Sequence, residues 1–307
     1  MMFEDKITEI EGELKNVLDS RIPEDLHDVC AYLPLAGGKR LRPLLALLSC
    51  EAFSDYRRAM PFGVSLELIH NFTLLHDDLM DRDTIRRGIK TAHVVYGEPL
   101  AILAGDALYS IAFEHIADSY DNALARALSK ETAHMTLDIC HGQSLDMAYE
   151  NAEPSEEEYL NMVYKKTAVF FEKAAFCGAI IGNADESSAR SLGEMGRYMG
   201  MGFQLWDDLL SVTGDEEKTG KAVGNDLVRG KRTLVILRAK KRGVTLGALG
   251  DQNAGEEELM DAVRALRECG AVDEVKNIAE DYFSKARSKA INGELVDFID
   301  MVRKREK

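Results

Sequence analysis

No proline follows Pro154, so the second half of the chain lacks the residue that most strongly breaks helices. Alternating apolar and polar runs, the pattern of half-buried strands, are absent as well. Positive charge is in deficit. A net charge of −15 argues against binding to nucleic acid or to an acidic membrane surface, since both need an excess of Lys and Arg. Any anionic substrate must then find a local cationic site. The cysteines (Cys30, Cys50, Cys140, Cys177 and Cys269) are odd in number and scattered, with no C-x-x-C pair, which reads as free thiols rather than metal ligands. No apolar run approaches the about 18 residues that cross a bilayer, and the first five residues hold no basic segment leading into an apolar one. A cytoplasmic protein without stable membrane insertion is expected.

What is present is helical periodicity. Ile7, Ile10, Leu14 and Val17 recur at steps of three and four, one stripe of an amphipathic helix. Comparable segments are predicted over 42–53, 61–82, 98–117, 122–149, 155–181, 186–211, 231–242, 255–268 and 271–289, with a shorter one near the C-terminus. Gly37-Gly38, Gly88, Gly97, Pro154, Gly182-Asn183 and the polar run from Gly214 to Gly230 punctuate them. None has the composition of an interdomain linker. With 46% hydrophobic residues, 307 residues can bury a sizeable core, so one all-α domain over 1–307 is expected.

Chemistry first shows in Asp77-Asp78-Leu79-Met80-Asp81. Asp77 and Asp81 stack one turn apart on a helix, with Asp78 about 100° round. Aligned carboxylates repel unless a cation joins them, and hard divalent ions combine one or two carboxylates with phosphate and water oxygens. A second pair, Asp207-Asp208, follows in Phe203-Gln204-Leu205-Trp206-Asp207-Asp208. Two acidic helices across a cavity could hold several ions around one diphosphate and stabilise its charge as it leaves. Cationic stretches complete the set: Gly37-Gly38-Lys39-Arg40-Leu41-Arg42, Arg86-Arg87-Gly88, Lys165-Lys166-Thr167, Lys218-Thr219-Gly220-Lys221 and Gly230-Lys231-Arg232. Each alone reads as surface charge. Together they suggest anion sites, with glycine amides approaching closely.

In this order the chain resembles the trans-isoprenyl diphosphate synthase family from about residue 37 to 234. The matching stretches are GGKRLRP (37–43), LIH (68–70), HDDLMDRDTIRRG (76–88), AGDALYS (104–110), GQSLD (142–146), KKTA (165–168), FQLWDD (203–208), GKAVGNDL (220–227) and GKRTL (230–234). The resemblance implies an all-α bundle of ten or more helices around a central cavity, usually a homodimer. It implies isopentenyl diphosphate bound by Lys39, Arg42, His70 and Arg87. An allylic diphosphate would be held by Arg86, Lys166, Lys221 and Lys231, and by magnesium, three ions with substrate present, on Asp77, Asp81 and Asp207. Asp78, Asp208, Ser211 and Asp215 are further metal candidates. Lys166, Thr167, Gln204 and Lys221 are the implied catalytic residues, with Thr167 and Gln204 offering oxygen dipoles to an allylic cation. The implied partners are the two diphosphates.

One departure matters. Ser211 stands where the family's second motif has its last Asp. Asp207, Ser211 and Asp215 could align at i, i+4 and i+8, a spacing similar to the metal motif of class I terpene cyclases. A cyclase is the alternative chemistry, and a non-catalytic partner subunit a third reading that the intact first motif disfavours. Phe72 lies five residues before Asp77, about 7.5 Å along the axis. With the small Thr73 beside it, Phe72 is the expected floor limiting the product, resembling archaeal-type geranylgeranyl diphosphate synthases. The nearest competitors are a farnesyl or a longer product, or a Phe72 that merely packs in the core. The helix around Ala104 to Ile111 is the expected opposite wall, and the Gly214 to Gly230 run a flexible closure.

Overall fold

Nearly all regular structure in the computed structural model, which describes residues 3–150, 152–213, 225–251 and 253–304, is helical. In chain order the helices are α1 Glu4–Arg21, α2 Glu24–Tyr32, α3 Leu41–Glu51, α4 Met60–Met80, α5 Ala92–Tyr96, α6 Glu98–Ser119, α7 Asn122–Tyr149, α8 Glu156–Val163, α9 Val169–Ile181 and α10 Glu186–Thr213. They continue with α11 Asn225–Val228, α12 Leu234–Lys241, α13 Glu256–Glu268, α14 Ala271–Lys289 and α15 Gly293–Arg303. The chain divides into two compact units, Met1–Ala133 with Ala174–Arg190, and His134–Lys173 with Ser191–Lys307.

In the first unit α3 from Pro43 to Cys50 and α4 from Phe62 to Ile69 are buried on every side, the mark of helices enclosed by others. Leu44, Leu45, Leu47 and Leu48 of α3 and Phe62, Leu66, Leu68 and Ile69 of α4 are fully buried. Along its length α4 packs against α6, which contributes Ala104, Leu108, Ala112 and Ile116. Small residues set the closest approaches. A Cβ on Gly105 of α6 would lie 2.3 Å from His76 Nε2, and one on Gly178 of α9 would lie 2.3 Å from the carbonyl oxygen of Ala46 on α3. In the second unit α12, α13 and α14 pack together and bury Val235, Ile236, Val263, Leu266 and Val275 with Leu205 and Val212 of α10. Ser155 and Glu158 close a reciprocal capping box at the start of α8, as Ser-x-x-Glu before an apolar turn should.

Four details differ from the sequence reading. A hairpin pairs Ile85–Arg86 (β1) with Ile89–Lys90 (β2), two-residue strands too short to show alternation. Both of its turn residues, Arg87 (φ 52°) and Gly88 (φ 79°), are left-handed, as a two-residue hairpin loop of matching twist requires. The helix expected over 155–181 contains one wide π turn, Tyr164–Ala168, between α8 and α9. The helix expected from 231 begins at Leu234, leaving Lys231 and Arg232 outside it, while α2, α5 and α11 have too few turns to show a period. Finally, α6 is long and apolar enough by length and composition to cross a membrane, although the sequence reading found no such run; here it packs against α2, α4 and α5. Lys221 and Asp215, and most of the Gly214 to Gly230 run, lie outside the described residues.

Gly178→Ala is expected to cost about 1–3 kcal/mol of stability, because the added methyl meets backbone that cannot yield. A lower urea midpoint with an unchanged slope would show it. A wild-type midpoint would remove this contact from the core.

Candidate active site

The cationic site of the first unit is built on a buried ion pair. Arg40 caps α3 in a left-handed conformation (φ 49°), and its guanidinium meets Glu67 of α4 at 2.6 Å and the Pro34 carbonyl at 2.7 Å. Both side chains are about 2% exposed, and Asn71 donates to the same Glu67 oxygen at 3.1 Å. This clamp fixes the loop carrying Gly37, Gly38 and the exposed Lys39. From the hairpin turn, Arg87 donates to the carbonyls of Leu33, at 3.1 Å, and Gly37. A side chain at Gly38 would press on both guanidinium groups, Arg40 and Arg87, at 3.2 Å.

Arg42 extends from α3 to His70 of α4, with Nη1 3.1 Å from Nε2. Since a guanidinium only donates, His70 accepts there and carries its proton on Nδ1. Burial first, then Arg42, Arg87, Arg86 and Arg40 in turn, holds the imidazole well below its ordinary pKa and so neutral. The fold thus assembles Arg42, His70 and Arg87 with Lys39 on the adjoining loop.

Two turns further along α4 stand the acids. Asp77 and Asp81 are half-buried, whereas Asp78 is 1% exposed and turned inward, as its 100° offset requires. Arg86 donates through Nε to Asp78, and its Nη2 lies 3.5 Å from Asp77 and 3.9 Å from Asp83. Burial pushes the Asp78 carboxyl up to about 6 against the pull of Arg86. Its Oδ2 is buried without a hydrogen-bond partner. Among the described residues no three His, Cys, Asp or Glu side chains already converge on a cation position. An oxygen-only donor set with an orphaned carboxylate oxygen still suits a hard divalent ion that takes its remaining ligands from a phosphate.

Toward the start of α4 the chemistry becomes apolar. Phe72 packs edge-on to His76, ring centres 4.9 Å apart, and against Tyr109 of α6 at 5.1 Å. Tyr109 in turn meets Phe113 at 5.0 Å. Thr73 turns its hydroxyl onto its own helix, donating to the His70 carbonyl at 2.8 Å. The expected wall around Ala104 to Ile111 therefore supplies a ring of its own, Tyr109.

In the second unit the π turn separates two neighbouring lysines. Lys165 donates to Asp138 at 2.6 Å, and Lys166 to Asp146 at 2.5 Å. Burial would raise Asp146, but Lys166 and Lys231 outweigh it and hold its carboxyl below the usual range. Gly142 of α7 admits the turn: a Cβ there would lie 2.3 Å from the Lys166 nitrogen. Thr167 donates to Gln204 Oε1 at 2.8 Å, and Gln204 Nε2 donates to Asp208 at 3.0 Å. Asp208, 7% exposed, accepts a hydrogen bond from the Tyr159 hydroxyl on its other oxygen, and burial pushes it up to about 7. Asp207 is half-buried on the next position round the helix. Ser211 donates to the Asp208 carbonyl at 2.8 Å. Asp146, Lys166, Thr167, Gln204, Lys231 and Arg232 line one cavity of this unit.

Sequence reasoning missed Arg40 and Glu67, Tyr109, Asp146 and Tyr159. Arg40 and Asp146 sat inside recognised motifs, but a role as internal partner leaves no mark of its own in one sequence. Glu67 carried a usable signal: a lone acid in the apolar run from Phe62 to Ile69 needs a buried cation.

Known proteins match this arrangement over most of the chain. The Polyprenyl synthetase family model covers residues 23–299. Geranylgeranyl diphosphate synthase of Methanosarcina mazei is 44% identical over 291 residues, 94% of this chain and 90% of that one. Geranylfarnesyl diphosphate synthase of Aeropyrum pernix is 40% identical over 276 residues, 86% of each. The solved geranylgeranyl pyrophosphate synthetase of the archaeon Geoglobus acetivorans superposes with a TM-score of 0.92 at 37% identity, covering 99% of this chain and 100% of that one. With its clustered arginines, its Asp-rich turn and these matches together, the chain belongs to the polyprenyl synthetase family.

Proposed function

We propose that this protein is a magnesium-dependent trans-prenyltransferase that condenses isopentenyl diphosphate with dimethylallyl, geranyl and farnesyl diphosphates to make geranylgeranyl diphosphate. The observation that carries it is a cationic pocket free of acidic metal ligands, Arg42, His70 and Arg87, on the same helix system as the acids Asp77 and Asp81. A cyclase needs one diphosphate site; this chain has the makings of two. The neutral His70 suits the first, since it leaves the positive charge to arginine and lysine and orients Arg42 as an acceptor.

Asp77, Asp81 and Asp207 would hold magnesium, which neutralises the charge of an allylic diphosphate as it departs. Arg86, released from Asp78 and Asp77, would turn to the same phosphates, joined by Lys166, Lys231 and Lys221. Breaking the allylic C–O bond leaves a carbocation that the oxygens of Thr167 and Gln204 stabilise. The terminal alkene of isopentenyl diphosphate, fixed by Lys39, Arg42, His70 and Arg87, forms the new C–C bond. A proton then passes to the released diphosphate. Asp78 and Asp208, turned inward, are the secondary candidates: each already holds neighbouring groups, and the orphaned Asp78 Oδ2 is the oxygen it would have left for an ion.

The growing tail is read as running back along α4 until it meets Phe72, braced by Tyr109 and Phe113. Relatives named for geranylgeranyl and geranylfarnesyl products match at 44% and 40% identity, so the proposal of a limit at Phe72 rests on the local rings and not on overall identity. We further propose a cytoplasmic homodimer in which residues 1–307 work as one domain. The exposed Val94, Val95, Leu100, Ile102 and Leu103 of α5 and α6 give a second copy an apolar face to cover.

Incubation with magnesium, labelled isopentenyl diphosphate and each allylic primer should give a twenty-carbon diphosphate, and chelation should abolish it. Failure to incorporate label rejects the synthase, while a cyclic hydrocarbon from allylic diphosphate alone establishes the cyclase. Asp77→Asn and Asp81→Asn should each lower kcat by at least about a hundredfold. Phe72→Ala should move the main product up by one or more five-carbon units, and an unchanged product distribution takes Phe72 out of the floor.

A further inference from the structure

We infer that Arg232 is a further phosphate-binding residue of the second unit, its guanidinium donating to the allylic diphosphate that Lys166 and Lys231 are proposed to hold; the assignment rests on the prenyl-transfer reading. The turn before it places the Gly230-Lys231-Arg232 stretch. Gly230 is left-handed (φ 74°), and its N–H and that of Gly250 both donate to the Leu227 carbonyl, at 2.9 and 2.8 Å. The N–H of Lys231 donates to the Asp226 carbonyl at 2.9 Å. On the other side Leu234, Val235 and Ile236 open α12 as buried residues. Lys231 and Arg232 are thus held between two fixed points, and both line the cavity that also receives Lys166, Thr167 and Gln204.

What sets Arg232 apart is hydrogen-bonding capacity left unspent. Its Nε and Nη1 are buried, and neither has a hydrogen-bond partner. Acids line the same cavity, but they are committed elsewhere. Asp146 accepts from Lys166 at 2.5 Å and lies in the field of Lys231 as well. Asp208 accepts from Tyr159 and Gln204, and Glu150 stands exposed. Glu153, on which the charge of Arg232 also acts, is 63% exposed and paired with Lys240. Among the described residues, then, no carboxylate answers these two nitrogens.

Buried N–H donors without acceptors cost stability, and a guanidinium does not shed its proton to escape that cost. An anion entering the cavity removes the penalty and gains charge-assisted hydrogen bonds in the same step. The company of Arg232 selects a phosphate. Lys166 and Lys231 share Asp146, so the cavity holds more cationic side chains than that one carboxylate can answer. A diphosphate brings several charged oxygens at once. The lysines meet it as point charges, whereas the planar fork of Arg232 adds direction and so fixes how the diphosphate lies. Isopentenyl diphosphate is placed on Lys39, Arg42, His70 and Arg87 of the first unit, so Arg232 acts on one substrate of the two.

The test compares Arg232→Met, which keeps an unbranched stem and removes the donors, with wild type on the full-length chain. The KM of the allylic diphosphate is expected to rise at least about tenfold, the scale of one hydrogen bond to a charged group, with the KM of isopentenyl diphosphate within about twofold. Calorimetry with inorganic diphosphate and magnesium should show its Kd rising by a similar factor, without any turnover. Because the empty site carries unmet donors, the variant should melt at or above wild type and gain less from added diphosphate. An unchanged Kd for diphosphate overturns the assignment. So does a lower melting temperature with both KM values raised alike, the result for an arginine that only supports the fold. Should Arg232→Met fail to melt cooperatively, Arg232→Gln carries the same readings. Wild-type turnover tests prenyl transfer separately: diphosphate binding that depends on Arg232 without product would reject that reaction and leave the anion contact standing.

Discussion

The buried pair of Arg40 and Glu67 is the constraint on which the first unit's chemistry depends. It ties the start of α3 and the Gly37-Gly38 loop to the middle of α4, the helix that carries His70 and the Asp-rich turn. Two charges this deeply buried gain little net stability, because desolvation offsets most of their attraction. Their value is positional. Arg40 also reaches Glu11 at 3.4 Å, but breaking the pair would leave Glu67 without its ionic partner in an apolar core, which opposes displacement of the loop.

Around that anchor the charges are deliberately unequal. Arg42, Arg86 and Arg87 join Arg40 near His70, and Glu67 answers only Arg40 directly. Burial first and this imbalance second keep the imidazole neutral, and the excess of arginine leaves a field for an anion to fill. The acidic turn is held in the opposite way, with Arg86 spread across Asp77, Asp78 and Asp83. On the proposed function, substrate and metal binding would exchange one set of ionic partners for another, which limits the charge that must ever stand uncompensated.

Long periodic helices were the legible part of the sequence. The stripe on α1, the apolar run of α4 and the acids at its end follow from spacing alone, and the ordered motifs group Arg42, His70 and Arg87, which lie near one another in the fold. Short elements were not legible: α2 and the β1–β2 hairpin span too few residues for a period to emerge. Adjacency carries less. Asp78 and Asp208 stand in the sequence beside Asp77 and Asp207, yet on a helix neighbours point about 100° apart, so both are buried where Asp77 and Asp207 are half-exposed. Hydrogen bonds such as that of Tyr159 with Asp208 join distant positions and leave no local pattern.

The π turn at Tyr164–Ala168 has a consequence for how such a protein can change over time. It holds one residue more than a regular turn would, so removing any single residue there would restore an ordinary helix and rotate Lys166 and Thr167 away from Asp146 and Gln204 by about 100°. Length variation is closed to this segment. The α4–α6 face works under looser rules, since Phe72, Tyr109 and Phe113 can exchange ring for methyl without moving a charge. On the proposed role of Phe72, descendants of this chain are free to explore new products at those rings while the register of the π turn stays frozen.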